Sequence, residues 1–141
     1  TGQRCGIRLS GDAELFARGG GEYAAEYMTG GTMVMLPDPE LAGKYEVVKG
    51  KFGAGMSGGK AFVYVRCGQD IKKHLDPNLE VIEVSRNADA HGQFMDSLRS
   101  FQEMGLSDEE ILYWSRNTEN QKGRVVMVRP KEEHGEKKAA A

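Results

Sequence analysis

Two adjoining stretches have residue types and spacings that could do chemistry. Gly53-Ala-Gly-Met-Ser-Gly58 fits the spacing G-x-G-x-x-G, in which glycine backbone approaches a dinucleotide pyrophosphate at the start of a helix. Here a β-prone run, Ala61-Phe-Val-Tyr-Val65, follows at once. The pyrophosphate would therefore meet no helix N-terminus, and the structural reading of close-packed bends is favoured. Gly59-Lys60 has the Gly-Lys pair of a phosphate-binding loop. That loop also needs Gly at position 54 and Ser or Thr at position 61, and both are Ala. His74, His91 and His134 stand apart from any partner at metal-ligand spacing, so each reads as a solvated side chain. The carboxylates Asp108-Glu-Glu110 are accounted for by a helix start and its dipole. Arg66, Lys72 and Lys73 form a basic cluster too small for a nucleic-acid surface. No catalytic, cofactor-binding or metal-ligating set is assigned from these residues, and no cofactor is expected.

The elements that would carry these residues are organised by a phrase written twice. Tyr23-Ala-Ala-Glu-Tyr-Met-Thr-Gly-Gly31 leads into Thr32-Met-Val-Met-Leu36; Phe52-Gly-Ala-Gly-Met-Ser-Gly-Gly59 leads into Lys60-Ala-Phe-Val-Tyr64. From the methionine onward the copies superpose at a spacing of 28, and at the aromatic residue the spacing is 29. That places one extra residue early in the first copy. A Gly-Gly unit repeated ahead of a strand predicts stacked coils of a parallel β-helix, with small residues where coils approach closely. An antiparallel sandwich is the rival, and the Asn-Gly or Asp-Gly hairpins it would want are absent from the sequence.

Glycine divides the chain. Of 19 glycines, 15 fall between Gly2 and Gly68. Beyond them, Leu79-Glu-Val-Ile-Glu-Val84 reads as a strand. Phe94, Leu98 and Phe101 mark one face of a helix over 89–104, with Gly105 as its stop. Ser107-Asp-Glu-Glu110 opens a second helix, and Val125-Val-Met-Val128 reads as a last strand. The expected architecture is mainly β: a few coils over 1–84, a helical extension and closing strand over 85–130, and a disordered tail over 131–141. Val34, Leu36, Phe62, Val63 and Val65 are expected in the core, and Gly30, Gly31, Gly58 and Gly59 in aligned bends.

Composition excludes several classes. A net charge of −2 provides no field for nucleic acid or an anionic membrane. No apolar run approaches the ~20 residues of a bilayer span. Cys5 and Cys67 form no Cys-x-x-Cys pair, which points to reduced thiols in a cytosolic protein. The absence of an initiator methionine points to a processed chain or a fragment.

The doubled phrase resembles the C-terminal GXGXG domain of the glutamate synthase large (α) subunit. Gly2-Gln-Arg-Cys-Gly-Ile-Arg-Leu-Ser-Gly11, Asp76-Pro-Asn-Leu-Glu-Val-Ile-Glu-Val84 and Val126-Met-Val-Arg-Pro-Lys131 are also similar to segments of that domain, while 89–120 is only loosely so. The resemblance implies a right-handed parallel β-helix lacking some leading coils. It implies partners that are other domains or subunits of a glutamate synthase-type complex, or self-association through an open coil end. It also implies that chemistry on glutamine and 2-oxoglutarate, with FMN and an iron–sulfur cluster, belongs to other domains, and that Cys5 is not the nucleophile. A β-helix subunit of a formylmethanofuran dehydrogenase-like complex and a stand-alone solenoid binding module are the alternatives.

Overall fold

The computed structural model describes residues 14–18, 23–24, 29–44, 46–48, 50–53 and 55–131. The strand expected over 5–9, Cys5, Tyr27, Met28, His134 and the tail lie outside these residues. The elements in chain order are β1 (Glu14–Ala17), β2 (Tyr23–Ala24), β3 (Thr29–Met35), β4 (Lys51–Phe52), β5 (Gly58–Arg66), β6 (Leu79–Glu83), α1 (Ala88–Gln102), α2 (Asp108–Arg116), β7 (Glu119–Asn120) and β8 (Gly123–Pro130). Single 3-10 turns occupy Pro39–Leu41, Ile71–His74 and Val84–Arg86. Val47 and Val48 are buried and lie in a bend.

The expected right-handed parallel β-helix is overturned. Six strands form one mixed sheet in the order β1-β3-β5-β8-β6, with β7 paired to β8. β1, β3 and β5 are mutually parallel. β8, however, runs antiparallel to both β5 and β6. The physical reason lies in how the chain returns from α2. The short β7 turns through Gln121-Lys122 into β8, and this hairpin delivers β8 head-to-tail against β5. A repeated phrase specifies only how its own copies pair; it carries no information on the strand that closes the sheet. A second, two-stranded sheet pairs β2 with β4 in parallel.

The register of the repeat is visible in the sheet. Thr32 lies opposite Lys60, and Met33, Val34 and Met35 lie opposite Ala61, Phe62 and Val63, all at the spacing of 28. The extra residue falls elsewhere than expected. Tyr23 pairs with Lys51 and Ala24 with Phe52, so the spacing is already 28 there. Thr29 pairs with Gly58, and the register then shifts before Thr32. Gly30 and Gly31 together oppose the single Gly59, the two-against-one count of a β-bulge. Gly31 (φ +82°) and Gly59 (φ +80°) both take the left-handed conformation that other residues enter at a cost. The Gly-Gly pairs thus start strands instead of forming the expected bends.

Strand alternation then sorts the side chains. One face carries the lateral row Phe16, Val34, Phe62, Met127 and Ile82. Helix α1 covers it, with Phe101 against Phe16 and Phe94 against Phe62, both at 5.4 Å between ring centroids. Farther along β5, Tyr64 meets Trp114 of α2 at 5.5 Å, edge to face. The opposite face carries Met33, Met35, Ala61, Val63, Val126 and Val128, all buried, and joins Val47, Val48, Phe52 and Met56 in one core. Val34, Leu36, Phe62, Val63 and Val65 are each fully buried.

Both helices begin on side-chain caps. The Asn87 amide oxygen accepts from the Ala90 N–H at 2.9 Å, and Ser107 Oγ accepts from the Glu110 N–H at 3.1 Å. Among the described residues, no helix is long and apolar enough to cross a membrane.

At Gly58, β5 approaches β3 too closely for a side chain. A Cβ there would lie 2.1 Å from the Thr29 carbonyl oxygen, which is backbone and cannot yield. Gly58→Ala is therefore expected to cost about 2 kcal/mol or more, measured by denaturant unfolding; a midpoint equal to the parent's would show that β3 and β5 are not this close.

Candidate functional site

The residues singled out in the sequence do not converge on one centre. Gly53 (φ +74°) and Gly55 (φ +70°) are left-handed. A Cβ on Gly53 would meet Leu79 Cδ1 at 2.4 Å. Gly53 packs against Leu79 of β6 and Gly58 against the Thr29 carbonyl, so these two glycines of the G-x-G-x-x-G stretch are used for packing. His74 Nδ1 lies 2.7 Å from the Gly50 carbonyl oxygen, tying one loop to another. His91 lies in α1, half-buried. Cys67 is an exposed free thiol. Among the described residues, no group of three or more His, Cys, Asp or Glu could hold a metal ion.

What does converge is a row of polar residues that the sequence reading did not assemble. One step from the apolar row, on the same helix-facing side, Glu14 lies beside Thr32 and Thr32 beside Lys60. Extending the Ala61–Val128 pairing by one residue sets Lys60 opposite Arg129, and Arg129 is opposite Glu80. Five strands thus contribute Glu14, Thr32, Lys60, Arg129 and Glu80 in lateral order. Helix α1 overhangs this row. Its Gln93 Oε1 accepts from Lys60 Nζ at 2.7 Å, and Ser100 Oγ donates to Glu14 Oε1 at 2.5 Å. Arg129 Nε donates to Glu80 Oε2 at 2.6 Å. A cleft of about 510 Å³ opens between helix and row, lined by Glu14, Thr32, Lys60, Gln93 and Arg129, with Gly31 and Gly59 on its floor. The 28-residue repeat connects only Thr32 and Lys60. The other three join through pairings that no local pattern encodes.

A second polar cluster ties the edge of the sheet to α2. The Arg18 guanidinium makes a two-pronged contact with Glu110, at 2.5 and 2.8 Å. It also donates to the Pro37 carbonyl oxygen at 3.2 Å and lies 4.9 Å over the Phe16 ring. Glu110 Oε2 also accepts from the Trp114 indole N–H at 3.1 Å. Glu110 is therefore half of a capping box through its backbone only, since its carboxylate is committed to Arg18 and Trp114. This cluster lines a groove of mixed character, with Phe16, Phe101, Met104 and Leu106 beside Glu14 and Ser107.

Among the described residues, Tyr64 shows the one pronounced electrostatic effect. Its side chain is fully buried and its hydroxyl has no hydrogen-bond partner among the described residues. Burial, with smaller contributions from Tyr113 and Cys67, pushes its pKa up to about 12. The phenolate is penalised because nothing there solvates it. Gly123 backs onto the ring so closely that a Cβ would lie 2.6 Å from the hydroxyl.

Comparison with known proteins supplies a family. A family model described as the GXGXG motif matches residues 1–131. Over 82 residues the chain is 40% identical to the glutamate synthase [NADPH] large chain of Bacillus subtilis (strain 168). That match covers 58% of this chain and 5% of the relative's length.

Tyr64 generates a pH prediction. In the unfolded chain the phenol loses its proton near pH 10, while in the fold it holds the proton to about 12. Between these values the folded state binds more protons, so stability present below pH 10 is lost as pH rises to 12. Tyr64→Phe should show a shallower loss of melting temperature across this window. It should also match or exceed the parent's stability at pH 7, because it removes a buried hydroxyl that has no partner. A steeper alkaline loss in the variant would refute the assignment.

Proposed function

The chain belongs to the GXGXG family, and from that membership we propose that it is a non-catalytic structural part of a glutamate synthase-type assembly. The observation that carries the reading is the 40% identity to a glutamate synthase large chain of which the match spans 5%. Such a segment works among other domains. The overall reaction we assign to the assembly is reductive transfer of the glutamine amide nitrogen to 2-oxoglutarate, with the reacting groups outside this chain.

Two features support a bracing role. The glycines of the repeated phrase are used for close approach: Gly58 against the Thr29 carbonyl and Gly53 against Leu79. The segment 85–130, proposed as a unit of its own, contributes β8, which lies between β5 and β6 of the segment 1–84. The two segments would therefore move as one body. A cytoplasmic location fits this role. The formylmethanofuran dehydrogenase-like and solenoid-module alternatives rested on the parallel β-helix, as did self-association through an open coil end, and they lose their support with it.

Titration of the 141-residue protein with FMN and with glutamine, followed by calorimetry, tests the proposal. The expected result is no saturable binding at micromolar concentration of either. Saturable micromolar binding of FMN or glutamine would overturn the non-catalytic reading.

A further inference from the structure

The charges of the cleft under α1 do not balance strand by strand. Lys60 and Arg129 lie on adjacent strands of the same face, and like charges in that relation disfavour the pairing. Arg129 is compensated by Glu80 on its other side, at 2.6 Å. Lys60 is not. Its ammonium donates to the neutral amide oxygen of Gln93, and among the described residues no carboxylate pairs with it. That amide is itself oriented, because Gln93 Nε2 donates to Asp89 Oδ2 at 3.0 Å. The ammonium is thus held at the cleft by a positioned neutral acceptor, with no carboxylate in direct contact and the Asp89 carboxylate one hydrogen bond further on.

The surroundings supply the rest of a site. Thr32 offers a hydroxyl beside Lys60. Gly31 and Gly59 line the same cleft in the left-handed conformation, so a bound group can approach the backbone without meeting a side chain. A volume of about 510 Å³ suits a small molecule. Glu14 closes the far end, two strand spacings or about 10 Å from Lys60. Its negative charge sets a limit on what enters. One negative charge beside Lys60 is compensated, whereas a second would be repelled by Glu14.

We propose that this cleft binds a small monocarboxylate, with Lys60 as its counter-charge and Thr32, Gly31 and Gly59 around it. The proposal goes beyond the bracing role and does not depend on it. It concerns weak binding of a simple anion, so its outcome does not bear on the micromolar glutamine and FMN test.

Acetate is the probe, titrated into the 15N-labelled 141-residue protein at constant ionic strength. Saturable shifts of the Gly31, Gly59 and Lys60 amides are expected at millimolar acetate. Lys60→Gln should weaken the binding by about tenfold or more, as loss of a charge partner does, and Lys60→Arg should largely retain it. Inorganic phosphate should bind more weakly than acetate, and Glu14→Gln should narrow that gap. The side-chain ammonium signal of Lys60 in the unaltered protein is a second readout that needs no variant to fold. Linear, unsaturable shifts, Lys60→Gln binding like the parent, or phosphate binding as tightly as acetate would each overturn the proposal.

Discussion

The register of β3 on β5 is the constraint on which the rest depends. Side chains alternate along a strand, so a slip of one residue would exchange the two faces of the sheet. Two features fix the register. Gly58 lies against the Thr29 carbonyl with no room for a Cβ, and Gly30-Gly31 oppose Gly59 two against one. Beyond the bulge the parity is set. Val34 and Phe62 face α1, while Met33, Met35, Ala61 and Val63 face the opposite layer. Lys60 owes its position under α1 to the same parity.

Helix α1 is positioned by that face in turn. Its two phenylalanines rest on strands at different places in the sheet, Phe94 on β5 and Phe101 on β1. The helix therefore runs across the strands rather than along one. Its polar flank, Gln93 and Ser100, follows the same line one row over and reaches Lys60 and Glu14. The apolar contact aligns the helix, and the polar row receives groups already in place. The Arg18–Glu110 pair joins a side chain 45% exposed to one only 11% exposed, and it orients α2 on the sheet edge.

Legibility followed locality. Phe94, Leu98 and Phe101 announced α1, and Ser107 announced the start of α2, because helical periodicity and capping are written within a few residues. The repeat announced the pairing of β3 with β5 from Thr32 onward, but not the bulge between Thr29 and Thr32. It did not announce β8 between β5 and β6, because that placement depends on a hairpin at Glu119–Gly123 and on partners some 60 residues away along the chain. The polar row stayed hidden for the same reason: Glu14, Lys60 and Arg129 are ordinary surface types until three separate pairings bring them together. Even Glu110, read as a helix-start carboxylate, has its strongest contact with Arg18, 92 residues earlier.

The place of β8 also bears on how the molecule is made. Among the described residues, β6 has no neighbour in the sheet other than β8. During synthesis its residues leave the ribosome 43 to 51 positions before their partners do. Throughout that interval β5 and β6 each present an unpaired strand edge, and unpaired edges are sites for pairing with another chain. The order of the sheet thus makes the nascent chain most exposed to wrong partners while α1 and α2 are still being translated, and β8 then covers the open edge of β5 and one edge of β6 at once.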